Sequence, residues 1–151
     1  MNTIYTILVF IHIFSAILGM GPGFVLSFIP KSAQTMTELR HAYKIKHQLH
    51  IIVMIGGTLL LITGLLMGMI HPYLFRMGWY IVSMILFFVA LAMGPFVLKP
   101  LSVPVKEIVN QHQGEEIPEA YFRLSKKLGF YENIENLFFL IIIILMILKP
   151  F

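Results

Sequence analysis

His12 is the residue on which chemistry could turn. It is the only ionisable side chain in the apolar run from Ile4 to Ile29, about two turns from the start of that run. An imidazole at membrane depth is costly unless it is paired, faces a protein interior or ligates something. Its neutral ring offers one donor and one acceptor, so it suits hydrogen bonding, proton transfer or axial ligation of haem iron. The plainer alternative is a bond to a hydroxyl or carbonyl on a neighbouring helix that only locks packing.

Other candidates fall into two groups. At an assumed rise of about 1.5 Å per residue, His12 lies roughly 12 Å inside the apolar zone, level with Thr63, Ser83 and Met84 on other spans. Thr63 and Ser83 are therefore expected hydrogen-bond partners, and Met84 or Met67 a possible thioether ligand for haem iron. His47 and His50 share a helical face near the opposite end, close to Glu132, Glu135 and Asn136. With Glu135 they could form a carboxylate-histidine metal site, and His12 is a further candidate metal ligand. The alternative for that group is an ion pair of Glu135 with Lys46 or Lys99. His71, beside Pro72, reads as a turn residue.

These side chains need elements to hold them. The chain has 151 residues, of which 58% are hydrophobic and 12% charged. Its mean hydropathy of +0.87 places it outside the range of soluble domains. Four apolar spans are expected at about residues 4–29, 50–70, 78–98 and 131–148, each long enough for a bilayer. The class is all-α, a four-helix transmembrane bundle forming one integral membrane domain over residues 1–151. The opening residues carry no basic group and the first apolar run exceeds a signal-peptide core, so that helix is expected to be retained.

Charge sets the expected orientation. Lys31, Arg40, Lys44, Lys46, Lys99, Lys106, Arg123, Lys126 and Lys127 occupy the first and third connections, whereas Arg76 and Lys149 lie opposite. The positive-inside rule then puts both termini outside and the basic loops in the cytoplasm. The formal charge of +4 follows these loops and is no sign of nucleic-acid binding. The second helix is expected to begin in the cytoplasm near Thr37 and continue into the membrane, with Gly56 and Gly57 giving close approach to a neighbour. Pro104 is expected to open a short helix ending near Gly114, and Pro118 to precede a helix with a possible break at Gly129. Gly21, Pro22 and Gly23 should loosen the first helix, and Gly64 with Gly68 forms a small-xxx-small pair suited to helix contact.

Several classes are excluded. No cysteine is present, so disulfides and thiol chemistry are absent. No nucleotide loop or nucleophile triad occurs, and no residue constellation demands catalysis.

The segment His12 to Pro22, the Thr63-Gly64-Leu65 end of the second span, Gly78-Trp79, and the run Phe130 to Pro150 carry a resemblance. They resemble a superfamily of small bacterial membrane proteins that includes the HemJ-type protoporphyrinogen oxidases and copper-resistance D-like proteins. The likeness is greatest to the superfamily's uncharacterised integral membrane proteins. The resemblance implies a bacterial inner-membrane location and b-type haem, with His12 at the position of a haem-associated histidine. The lysine that those oxidases place after the third-span tryptophan is matched here by Ser83, which departs from the pattern. The expected function is haem or porphyrin binding with a redox or haem-handling role, in contact with lipid and in a homo-oligomer. The alternative is a non-enzymatic packing or transport protein in which His12 is structural or relays protons.

Overall fold

The first span breaks where its glycines and proline predict. The computed structural model describes residues 3–151, and in it α1 (Thr3–Met20) stops at a turn over Gly21 and Pro22 before the short α2 (Gly23–Leu26). A Cβ on Gly21 would overlap the Ile17 carbonyl, the acceptor of the Gly21 N–H at 3.1 Å. A 3₁₀ turn, Ile29–Ser32, completes the span.

α3 (Met36–Ile70) is a continuous helix of 35 residues. Its start is fixed by Thr35 in extended conformation, whose hydroxyl accepts from the Glu38 N–H at 3.2 Å. The Glu38 carboxylate reaches back to the Gln34 N–H at 2.7 Å, a variant of the reciprocal capping box. At about 1.5 Å per residue α3 exceeds 50 Å, against roughly 30 Å of hydrocarbon, so its basic first third projects from the membrane.

After a 3₁₀ turn at Pro72–Arg76, α4 (Gly78–Met93) runs through a π-helical turn, Gly94–Leu98, directly into α5 (Lys99–Gln111). The expectation of a separate helix opening at Pro104 is corrected, since Pro104 lies inside α5. In α geometry the ring of Pro100 would crowd the Phe96 carbonyl, and the wider π turn just before it relieves that clash without ending the helix. Likewise α6 (Glu119–Leu148) begins after Pro118 and passes Gly129 unbroken. A helical glycine breaks a helix only if something else exploits its freedom, and a Cβ at Gly129 would meet nothing within 4 Å.

The spans are four helical segments long and apolar enough to cross a membrane, 3–32, 36–70, 78–111 and 119–148, so the protein is a four-span all-helical membrane protein. They assemble as two pairs, α1 along α3 and α4 along α6. The first pair is set by glycines: a Cβ on Gly19 would lie 2.7 Å from the Gly57 nitrogen, so the two backbones touch. Outward side chains such as Phe10 and Phe14, whose rings stack at 6.4 Å, stay exposed toward lipid.

The tightest burial is outside the membrane. Met36, Leu39 and Val105 are 0% exposed and Val109 2%, packed with Tyr121 and Leu128 where the extensions of α3, α5 and α6 meet. Water drives this small core together, whereas lipid is as apolar as the side chains it would displace. A polar latch seals it. Arg40 donates to the Val109 and His112 carbonyls at the end of α5, at 3.1 and 2.5 Å. The Met36 N–H donates to the Glu115 carbonyl at 3.0 Å, and the Thr37 hydroxyl to the Glu115 carboxylate at 2.8 Å.

That last bond makes a pH prediction. The Thr37 hydroxyl and N–H hold the Glu115 carboxyl below its ordinary value of 4.5. A lowered folded-state value means the contribution is present above the ordinary value and disappears as pH falls through it. Thermal melts of wild type and Glu115→Gln are therefore expected to differ at pH 7 and to converge as pH falls below the ordinary carboxylate value and through the lowered one. A gap that persists unchanged at acid pH would contradict the latch.

Candidate functional site

Between the two helix pairs lies a cavity of about 820 Å³, within the range of small-ligand sites. It exists because the backbones of α3 and α4 stay apart, so only side chains reach across the middle. Its walls are mainly aliphatic, aromatic and thioether groups, and no acidic residue lines it. His12, Ser83, Met84 and Met67 all line it.

His12 reaches this space because α3 offers no side chain at Gly64. A Cβ there would stand 3.3 Å from the imidazole Cε1. The ring Nδ1 is 2.8 Å from the Thr63 Oγ1, as the depth comparison anticipates. Thr63 has one hydroxyl hydrogen, and its oxygen is 2.7 Å from the Leu59 carbonyl and 3.2 Å from that of Leu60. Two oxygens at 2.7 Å without a hydrogen between them repel, so the hydroxyl donates to Leu59 and accepts from His12. Nδ1 therefore carries the proton in the neutral ring, and Nε2 keeps its lone pair. Tying one ring nitrogen to a neighbouring oxygen so that the other can ligate is how proteins orient a histidine toward a metal.

Ser83 is brought to the same cavity but not to His12. It is 1% exposed and its hydroxyl has no hydrogen-bond partner among the described residues. Isolated burial of a hydroxyl costs about 1–3 kcal/mol, so a polar atom of something held in the cavity is its natural complement.

Three features escape sequence reasoning. Gly64 and Gly68 do not seat another backbone; they make room for the rings of His12, Tyr80 and Phe75. The Tyr80 hydroxyl donates to the Gly64 carbonyl at 2.8 Å, joining α4 to α3 beside His12. The chain after α6 folds back, with the Trp79 N–H donating to the Phe151 carbonyl at 3.0 Å and the Lys149 ammonium 5.4 Å over the Trp79 ring. Only the aromatic pair Trp79-Tyr80 at a span boundary hints at this, because such residues favour membrane interfaces. His71 sits at the same end as the cap between α3 and its following turn, its ring edge-on to Tyr5 at 4.4 Å.

The basic end holds no second centre of the kind expected. Lys46 pairs with Glu132 at 2.7 Å rather than with Glu135, because Glu132 is the carboxylate one helical turn nearer the start of α6. Asn136 is buried and donates to the Gly23 carbonyl at 3.1 Å, satisfying backbone freed by the break in the first span. His47 and His50 are exposed on α3, and His12 lies on a different helix, α1. Among the described residues no three or more His, Cys, Asp or Glu stand together as a group that could hold a metal ion, so His47, His50, Glu135 and His12 do not gather into one ligand set.

A protein family described as "Predicted integral membrane protein (DUF2269)" matches residues 6–150. No curated protein and no solved structure matches.

Proposed function

Since the chain belongs to the DUF2269 family of integral membrane proteins, we propose that it binds a haem or porphyrin in the cavity between its helix pairs. The observation that carries this reading is an imidazole in an apolar cavity of about 820 Å³, with Nδ1 tied to Thr63 and Nε2 left with its lone pair. The surroundings fit such a group. The walls suit a flat apolar ring, Ser83 offers a buried hydroxyl without a partner, and Met84 and Met67 offer thioethers. His12 would hold the iron and Thr63 would orient His12. When bound, a haem supplies one-electron chemistry or is itself the cargo; the chain's part is to hold it, keep water from it and fix the ring's proton at Nδ1. The resemblance to haem-associated membrane oxidases supports the same reading. The basic connections support both termini outside, the resemblance implies the inner membrane of a bacterium, and the lipid-facing apolar surface leaves room for a homo-oligomer.

A second reading is supported by the same hydrogen bond, because His12, Thr63 and Leu59 form a polar chain joining α1 to α3. On that account the imidazole is packing or a proton relay in a non-enzymatic protein. Spectra decide between them. The detergent-purified full chain, titrated with haemin and then reduced with dithionite, is expected to develop a Soret band that sharpens on reduction. Thr63→Val, which removes the acceptor for Nδ1–H but keeps the shape, is expected to bind haemin about 10- to 100-fold more weakly. A protein that is colourless as purified and takes up no haemin sinks the haem reading and leaves the packing role.

A further inference from the structure

The cavity's mouth, at the end away from the basic connections, carries a cation that pairs with no acidic side chain among the described residues. Lys149 lines the cavity there as the residue that ends α6, in left-handed conformation with φ 47°. Its ammonium stands 5.4 Å over the Trp79 ring, and among the described residues it forms no ion pair. All seven acidic residues of the chain, Glu38, Glu107, Glu115, Glu116, Glu119, Glu132 and Glu135, belong to the basic half of the molecule. None lines the cavity. The C-terminal dipole of α6 favours a cation near this position, but its partial charge is delivered by carbonyls and leaves the ammonium free to meet an anion.

We propose that Lys149 recognises the anionic group of the cavity's ligand, so that the ligand is an amphiphilic carboxylate lying with its apolar body toward His12 and its carboxylate at the mouth. This rests on the porphyrin reading and deepens it: the ligand is a free-acid porphyrin with its propionates toward Lys149. Depth agrees. Tyr5, whose ring meets His71 at this end, precedes His12 by roughly 10 Å along α1, a span that a porphyrin and its propionate arm can bridge. Tyr73 also lines the mouth and offers a phenol to the same group. Trp79 holds the lysine stem in place, and a carboxylate and an indole face can share one ammonium.

The test compares haemin with its dimethyl ester on the detergent-purified full chain and on Lys149→Gln, with Arg76→Gln as a control that removes a cation from the same end outside the cavity lining. Lys149→Gln is expected to weaken haemin by roughly three- to tenfold and to leave the ester unchanged. Arg76→Gln is expected to change neither. A purely structural lysine would shift the melting temperature without separating acid from ester. Equal haemin affinity in wild type and Lys149→Gln, or an ester that binds wild type as tightly as the acid, overturns the inference while leaving haem binding at His12 intact. The carboxylate could instead come from a fatty acid, and the fluorescent polyene cis-parinaric acid separates that source. If haemin fails to bind but parinaric acid binds in a Lys149-dependent way, the anion site stands and the porphyrin reading falls. If neither binds, both fall.

Discussion

Replacement of His12 by alanine is expected to abolish the Soret band of the haemin-loaded protein, weakening haemin by more than about 100-fold. The bound on that figure comes from neighbours of ligands: losing the group that orients a ligating histidine costs about 10- to 100-fold, and losing the ligand itself exceeds it. The effect should be local. His12→Ala also removes the bond to Thr63, but interhelical bonds of this kind inside membranes contribute only about 0.6 kcal/mol on average. The helix pair should therefore still form, and its melting temperature should fall by only a few degrees. His12→Gly gives the companion measurement, since added imidazole can enter the vacated space and restore the band. A His12→Ala protein with an unaltered haemin spectrum would remove His12 from the ligand set. The absence of imidazole rescue alongside normal folding would point to His12 as a packing residue.

The largest stability loss is expected at Gly56. A Cβ there would overlap the Gly19 nitrogen and sit 2.8 Å from the Gly19 Cα and the Leu18 carbonyl carbon. Those atoms are backbone of α1, so no side-chain rotation relieves the contact. The whole helix must move, and with it the alignment that puts His12 opposite Thr63. Overpacking of this kind costs about 1–3 kcal/mol, and here it also separates the backbones whose close approach holds the pair together without help from the hydrophobic effect. The neighbouring residue is the control. A Cβ on Gly57 meets nothing within 4 Å, and alanine is the better helix former by about 1 kcal/mol. Gly57→Ala is therefore expected to melt at or slightly above wild type in detergent, as followed by Trp79 fluorescence. Gly56→Ala should melt well below it and bind haemin weakly. Similar melting of the two variants would show that α1 does not lie on Gly56 as described.

Between the two variants lies the general point about this molecule's energetics. Its glycines have unlike tasks: Gly19 and Gly56 join two helices, Gly64 admits an imidazole, Gly68 admits two aromatic rings, and Gly57, Gly94 and Gly129 face no atom that a methyl group would touch. Sequence reading offers Gly56 and Gly57 for close approach to a neighbour as well as the small-xxx-small pair Gly64 and Gly68, and of these Gly56 makes the backbone contact. Gly64 and Gly68 do not, because which stripe of a helix faces a neighbour depends on how the helices are rotated about their axes.

The same division holds for the site. Four spans, the long basic extension of α3 and the break at Gly21-Pro22 follow from local chemistry: apolar length, the Thr35 and Glu38 cap, and a proline between glycines. The pairing of His12 with Thr63 was legible too, because depth in a bilayer is nearly a linear function of residue number. Depth supplies one coordinate of three. It could not tell that Ser83, at the same level as His12, faces the cavity unpartnered. Nor could it show that Glu132 rather than Glu135 meets Lys46, a choice of one helical turn along α6. Pro104 does not open a helix, because α5 has already started at Lys99, continuous with α4 through the π turn, and proline inside a running helix bends or weakens it without having to begin one. The cavity itself was invisible in the sequence. Apolar residues that line a space and apolar residues that face lipid are the same residues, and only the arrangement of α1 on α3 and α4 on α6 separates the two.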